Sequence, residues 1–140
     1  MNKTPKIVIL LSTFNGADYL AEQLNSLLKQ TYTNFIIIIR DDGSTDDTKQ
    51  IISKYVEKNE GKIHRLSGSY ENVGPSASFC LLIQHVLEEK NSLGLSRAYI
   101  MLCDQDDIWV DNKIEIQIAE MLNIEKRTGC QPVLIHTDLS

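Results

Sequence analysis

Cysteines and long apolar runs are scarce in this chain of 140 residues. The three cysteines are Cys80, Cys103 and Cys130, and neither their spacing nor their neighbours form a CxxC or His-rich metal pattern. We therefore expect three reduced, mostly buried thiols, which fits a cytoplasmic protein. The longest apolar runs, residues 7–11 and 35–39, have the length of buried strands and are far too short to cross a bilayer.

Basic residues are outnumbered by acidic ones. The chain has 14 Lys and Arg against 19 Asp and Glu, which gives a net charge of −5. Nucleic-acid backbones are bound by clustered Lys and Arg, so a nucleic-acid partner is not expected. A small phosphorylated ligand remains compatible, because a bound metal ion can reverse the local charge. With 42% hydrophobic and 24% charged residues, the composition is that of one globular domain.

Short apolar runs alternate with helical patterns along the chain, and this alternation is typical of a parallel sheet. We predict an α/β fold with a mostly parallel sheet and helices on both faces. The predicted strands are residues 6–12, 35–40, 62–66, 98–103 and 132–136. The predicted helices are residues 17–30, residues 45–59 with Ser44 as N-cap, a third that starts at Pro75, and residues 111–128.

Polar clusters follow three of the predicted strands, at residues 13–16, 41–44 and 104–107. Ligands of such sheets collect at the carboxyl ends of the strands, so we expect the three clusters to share one edge. The cluster at 104–107 has three carboxylates, which repel one another unless a cation such as Mg²⁺ or Mn²⁺ binds. In the alternative interpretation Asp107 and Asp111 cap a helix and the other acids are solvated.

The other two clusters, and the loop before the third helix, each have two interpretations. Residues 41–44 make a good strand-to-helix turn, but a carboxylate there could also accept the N3–H of a pyrimidine base. Residues 13–16 could hold the base through Phe14 or simply form a turn. Residues 72–75 could present helix N–H groups to a phosphate or be an ordinary Gly-Pro helix entry.

The remaining residue types with chemical potential are isolated. His64, His85 and His136 have no Ser/His/Asp or Cys/His arrangement around them in the sequence, so nucleophilic hydrolysis has little support. Structural roles are expected for His85 and His136. Trp109, which directly follows the acidic cluster, is expected in the core.

Together these clusters resemble the family 2 glycosyltransferases, which have the GT-A fold. Five stretches match the family in order: IVILLSTFNG at 7–16, LNSLLKQTY at 24–32, DDGSTD at 41–46, NVG at 72–74 and DQDDIW at 104–109. The last resembles the family's DxD metal motif. The resemblance covers nearly the whole chain, from about residue 6, and one departure is Ser12, where many members have proline.

The resemblance implies a role for each cluster. Phe14 with its neighbours would line the base pocket, Asp42 would bind the pyrimidine, and Asp104 would contact the nucleotide. The implied nucleotide-binding residues are Ser12, Thr13, Phe14, Asn15, Asp42, Asn72, Gly74 and Asp104. The implied ligands of a divalent cofactor, Mg²⁺ or Mn²⁺, are Asp106 and Asp107.

The resemblance also implies a function. The enzyme would transfer a sugar from dTDP or UDP to a glycan or lipid-linked acceptor in cell-surface polysaccharide synthesis, with inversion at the anomeric carbon. Residues 1–140 would form a single nucleotide-sugar-binding domain that ends before the acceptor site and the general base. Rhamnosyltransferase-like members are the most similar subgroup. We expect a cytoplasmic protein, with peripheral association at the inner membrane face as a further expectation.

The same residues argue against two other functions. A nicotinamide-binding domain would have GxGxxG after the first strand, where this chain has STFNGA. A sugar-phosphate nucleotidylyltransferase would have a Gly-rich basic loop there. Two alternatives stay open at this point: a nucleotide-binding fragment without activity of its own, and a phosphoacceptor signalling module. If the sheet is truncated, we expect an exposed apolar patch or strand edge.

Overall fold

A computed structural model describes residues 4–68, 71–95, 98–104 and 107–129. Its strands are β1 (Lys6–Thr13), β2 (Phe35–Asp41), β3 (Ile63–Arg65) and β4 (Ala98–Cys103). Its helices are α1 (Leu20–Leu28), α2 (Thr48–Lys58), α3 (Pro75–Glu89) and α4 (Lys113–Thr128). The predicted strand at 132–136 lies outside the described residues, as do Cys130 and His136.

The four strands form one parallel sheet in the order β3-β2-β1-β4. The first strand is central, with Leu10 paired to Ile38 on one side and to Leu102 on the other. Strands in this position are buried on both faces, which explains why β1 and β2 are almost continuously apolar.

Helices cover both faces of the sheet, so the predicted α/β architecture is confirmed. On one face, Ile7, Ile9 and Leu11 form a core with residues of α1, α2 and α4. On the other face, Val8 and Leu10 pack against α3. Trp109 is 3% exposed and belongs to the first core, as predicted.

Three helices begin later than the sequence predicts, and the Ser44 cap is wrong. Helix α2 begins at Thr48 with Asp47 as its N-cap, because residues 41–44 close a turn of their own. In that turn the Ser44 hydroxyl donates to Asp41 Oδ1 at 2.5 Å and its N–H donates to Asp41 Oδ2 at 2.9 Å. The predicted starts at residues 17 and 111 are likewise early, whereas α3 does begin at Pro75.

The apolar side chains of β4 lie partly in solvent. Ile100 and Leu102 are 40% and 51% exposed, since α3 packs over β1 and β2 on that face. None of the helices in the described ranges is long and apolar enough to cross a membrane.

Candidate functional site

A cavity of about 490 Å³ lies at the carboxyl ends of the central strands, beside the start of α3. It joins all three polar clusters, as the strand-end rule predicts. Its lining residues are Ser12, Thr13, Phe14, Asp42, Asn72, Gly74, Pro75, Phe79 and Asp104. Seven of the eight residues assigned to nucleotide binding from the sequence are therefore brought together, and Asn15 is the one that is not.

Asn15 braces the loop after β1 instead of lining the cavity. Its N–H donates to Ser44 Oγ at 2.8 Å, and its Oδ1 accepts the Thr45 N–H at 2.8 Å. It has a φ of 48°, a left-handed conformation that Asn tolerates better than most residues. The next N–H, of Gly16, donates to Thr48 Oγ1 at 2.9 Å. The loop after β2 thus holds Phe14 in place at the cavity, where its side chain is 39% exposed.

Asp42 lines the cavity and is fixed by a buried ion pair with Arg40. Arg40 Nη1 lies 2.7 Å from Asp42 Oδ1, and the two side chains are 6% and 4% exposed. The Asp42 carboxylate also accepts the N–H groups of Val73 at 2.9 Å and Gly74 at 3.0 Å. The loop before α3 therefore holds the Asp42 carboxylate through these two amides.

Arg40 ties the same carboxylate to α3 and to the loop before it. Its Nη1 also donates to Ser78 Oγ at 2.8 Å, and its Nη2 donates to the Glu71 carbonyl at 3.1 Å. Ser12 Oγ completes the network by donating to Ser78 Oγ at 2.6 Å. The sequence analysis missed Arg40, although a cation that ends an apolar run and precedes two acids was a usable signal.

Thr13 lines the cavity, but its hydroxyl oxygen is buried on the side of Gly16. The residue is 1% exposed, and its Oγ1 has no hydrogen-bond partner among the described residues. A buried hydroxyl without a partner costs free energy. The Thr13 carbonyl accepts the Asp42 N–H at 2.8 Å, which joins the ends of β1 and β2.

The acidic cluster begins at the cavity. Asp104 is exposed and lines it, and the Asp107 N–H donates to the Asp104 carbonyl at 3.2 Å. The predicted metal ligand Asp106 lies outside the described residues. Within the described ranges, no group of three or more His, Cys, Asp or Glu could hold a metal ion. Carboxylate oxygens are nevertheless the donors that Mg²⁺ and Mn²⁺ prefer, so the chemistry of Asp104 and Asp107 fits such an ion.

The two described cysteines differ sharply. Cys103 is buried beneath the acidic cluster, and burial, with a smaller effect of the Asp107 charge, raises the pKa of its thiol to about 12. Cys80 is exposed, so the expectation of mostly buried thiols is wrong for it. It lies in α3 on the solvent side because the apolar face of that helix is carried by Leu82 and Val86.

A second cavity, of about 400 Å³, lies on the other side of the loop that precedes α3. Its lining includes His85, Glu88 and Gln84 of α3 together with Ser67. It shares Arg40 with the network described above, but it contains none of the residues assigned to a ligand from the sequence.

Comparison with known proteins identifies the kind of domain. The family model described as Glycosyl transferase family 2 matches residues 8–137. The UDP-Glc:alpha-D-GlcNAc-diphosphoundecaprenol beta-1,3-glucosyltransferase WfgD of Escherichia coli is 31% identical over 116 residues, which are 83% of this chain and 41% of that protein. The putative teichuronic acid biosynthesis glycosyltransferase TuaG of Bacillus subtilis is 30% identical over 124 residues, 86% of this chain and 44% of that protein. The chain thus spans less than half the length of these relatives.

Solved structures confirm the GT-A type of fold. The structure of S. aureus TarS 1-349 in complex with UDP aligns with a TM-score of 0.64 and 26% identity, over 84% of this chain and 32% of that one. A mannosyltransferase from Pyrobaculum calidifontis, in complex with GDP-Man and Mn²⁺, aligns with a TM-score of 0.53 and 20% identity, over 59% of this chain and 25% of that one. The second likeness concerns the fold alone.

Proposed function

This chain belongs to glycosyl transferase family 2, and on that premise we propose that it binds the nucleoside diphosphate of a sugar donor in the cavity at the ends of β1 and β2. The whole protein would then transfer the sugar to a glycan or lipid-linked acceptor in cell-surface polysaccharide synthesis. The observation that carries the proposal is the common location of Thr13, Phe14, Asp42 and Asp104 around one cavity.

The base is proposed to lie between Phe14 and Asp42. The half-exposed ring of Phe14 offers an apolar surface for stacking. A carboxylate has about four acceptor positions, and the bonds from Arg40, Val73 and Gly74 use three of those of Asp42. One position on Oδ2 is left for the N3–H of uracil or thymine, so the site would take UDP or dTDP.

The ribose and diphosphate would extend from the base toward Asp104 and the acidic cluster. Thr13, which lines the cavity, is a candidate contact for the nucleoside. The diphosphate is an anion next to carboxylates, so its binding there requires a cation. We assign Asp106 and Asp107 to hold Mg²⁺ or Mn²⁺, which would neutralise the charge of the departing diphosphate.

The proposed reaction is a direct displacement with inversion. The acceptor hydroxyl oxygen forms a bond to the anomeric carbon as the bond from that carbon to the diphosphate oxygen breaks. A carboxylate base would take the hydroxyl proton, and none of the residues described here is assigned to that role. Donors from UDP-glucose, which the E. coli relative's name specifies, to dTDP-rhamnose are compatible with this site.

The setting of the reaction is part of the proposal. We propose a cytoplasmic enzyme that works at the inner face of the membrane, where a lipid-linked acceptor would be presented. The alternative is that these 140 residues alone bind the nucleotide without transferring the sugar. The observation in its favour is that the chain spans less than half the length of the two relatives. Family membership removes the signalling-module alternative.

Calorimetric titration of the chain with UDP and dTDP, with and without Mn²⁺, tests the proposed function. We expect binding that strengthens in Mn²⁺ and weakens by roughly tenfold or more in Asp106→Ala, as when a metal ligand is lost. The matched control is Glu88→Ala, which removes a carboxylate from the second cavity and should bind like the wild type. A folded chain that binds neither nucleotide would contradict the proposal.

A further inference from the structure

Helix α1 buries a row of polar side chains on one face. Gln23 and Ser26 are 0% and 7% exposed, and their spacing of three residues places them on the same side of α1. Gln30, two residues after the end of the helix, is 4% exposed. Buried amides are costly unless they are hydrogen-bonded, so this row requires partners in the protein. The buried leucines Leu20, Leu24 and Leu27 lie beside this row in the same helix.

The partners of the row are backbone groups of the segment that runs from the acidic cluster to α4. Gln23 Nε2 donates to the Asp104 carbonyl at 2.6 Å, and Ser26 Oγ accepts the Trp109 N–H at 3.2 Å. Gln30 Nε2 donates to the Val110 carbonyl at 2.6 Å. The described residues between β4 and α4 form neither strand nor helix, so α1 supplies hydrogen bonds that regular structure would otherwise give.

Gln23 differs from the other two because it acts at the cavity. The carbonyl that it binds belongs to Asp104, which lines the cavity, and the same carbonyl accepts the N–H of Asp107. Ser26 and Gln30 hold the part of the segment from Trp109 onward, which does not line the cavity. Gln23 therefore fixes the position of Asp104 relative to Thr13 and Phe14.

We infer that Gln23 is a positioning residue for donor binding: its amide holds the Asp104 carbonyl so that Asp104 stays at the nucleotide cavity. This inference rests on the proposed function. It adds a residue of α1 that does not line the cavity and that the sequence did not indicate.

The variant Gln23→Met tests this role. Methionine has a similar length and retains the buried volume, but it cannot donate to Asp104. Gln23 Oε1 has no partner among the described residues, so the substitution removes little else besides the weak contact with Cys103 Sγ at 3.4 Å. We expect UDP or dTDP to bind roughly five- to tenfold more weakly, the change that corresponds to one lost buried hydrogen bond.

Gln30→Met is the matched control, since it removes an amide of the same row that is remote from the cavity. It should lower the thermal stability of the chain without weakening nucleotide binding at a temperature at which both variants are folded. Trp109 is the single tryptophan of the chain and is buried next to Ser26, so its emission reports on the packing of the segment. In Gln23→Met we expect that emission to stay at the wild-type wavelength.

Weaker binding in Gln23→Met, with unchanged Trp109 emission and unweakened binding in Gln30→Met, would support the inference. Wild-type affinity in Gln23→Met would overturn it, as would equal losses in the two variants or a red shift of Trp109 that accompanies the loss in Gln23→Met. If the wild-type chain binds neither nucleotide, the proposed function itself is contradicted and the inference falls with it.

Discussion

Replacement of Arg40 by methionine is expected to destabilise the chain by about 3 kcal/mol, because the buried Asp42 carboxylate loses its counter-charge. The substitution removes the 2.7 Å ion pair and the bonds from Arg40 to Ser78 Oγ and to the Glu71 carbonyl. Breaking a buried pair by removal of one partner costs about 3–5 kcal/mol. The lower end applies because the amides of Val73 and Gly74 still solvate the carboxylate.

Urea unfolding followed by Trp109 fluorescence and by circular dichroism measures this loss. With an m value of about 1.5–2 kcal/mol/M, a loss of about 3 kcal/mol lowers the midpoint by roughly 1.5–2 M. The double variant Arg40→Met with Asp42→Asn should regain part of the loss, because no uncompensated charge is then buried. A midpoint for Arg40→Met within about 0.3 M of the wild type would refute the reasoning about the pair.

Three further predictions concern other parts of the site and its supports. Gly74→Ala should cost about 1–3 kcal/mol in the same unfolding assay, because Gly74 has a φ of 90° and a ψ of 162°; an unchanged midpoint would show that the strain is absent. Iodoacetamide at pH 8 should alkylate Cys80 but spare Cys103 until the chain is unfolded, since burial raises the pKa of Cys103 to about 12. Peptide mass mapping identifies the alkylated cysteines, and labelling of Cys103 in the folded chain would contradict this prediction. Hydrogen bonds from Thr48 lower the pKa of Asp46. The wild type should therefore be more stable than Asp46→Asn above about pH 4, and this advantage should vanish as the pH falls through the lowered pKa. Melting temperatures measured across this pH range test the prediction, and a difference between the two proteins that does not depend on pH would contradict it.

The sequence predicted the elements well where periodicity is local. β4 has the bounds that its apolar run predicts, and α3 begins at Pro75 because proline favours the first helical position. The late start of α2 could not be predicted, since it depends on bonds between two loops far apart in the chain. Asn15 and Ser44, which are 29 residues apart, hold each other in those loops.

The sequence predicted which strand ends form the candidate site, but not the hydrogen bonds that hold the side chains there. The rule that ligands collect at the carboxyl ends of parallel strands placed Thr13, Asp42 and Asp104 at one edge. It did not indicate that Asp42 is held by Arg40, because Arg40 was assigned simply as the end of an apolar strand. Nor did it indicate Gln23, whose position on an amphipathic helix suggests solvent, although the side chain is 0% exposed. The domain boundary at residue 140 and the roles of Asp106 and Asp107 remain predictions.

The location of the nucleotide is the central claim, and backbone amide chemical shifts of the ¹⁵N-labelled chain during titration with UDP and Mg²⁺ test it most directly. The account predicts saturable shifts of the amides of Thr13, Phe14 and Gly74 around the larger cavity, with small changes at Ser67 and Gln84 beside the second cavity. Shifts concentrated at Ser67 and Gln84, or the absence of any saturable shift in the folded chain, would contradict it.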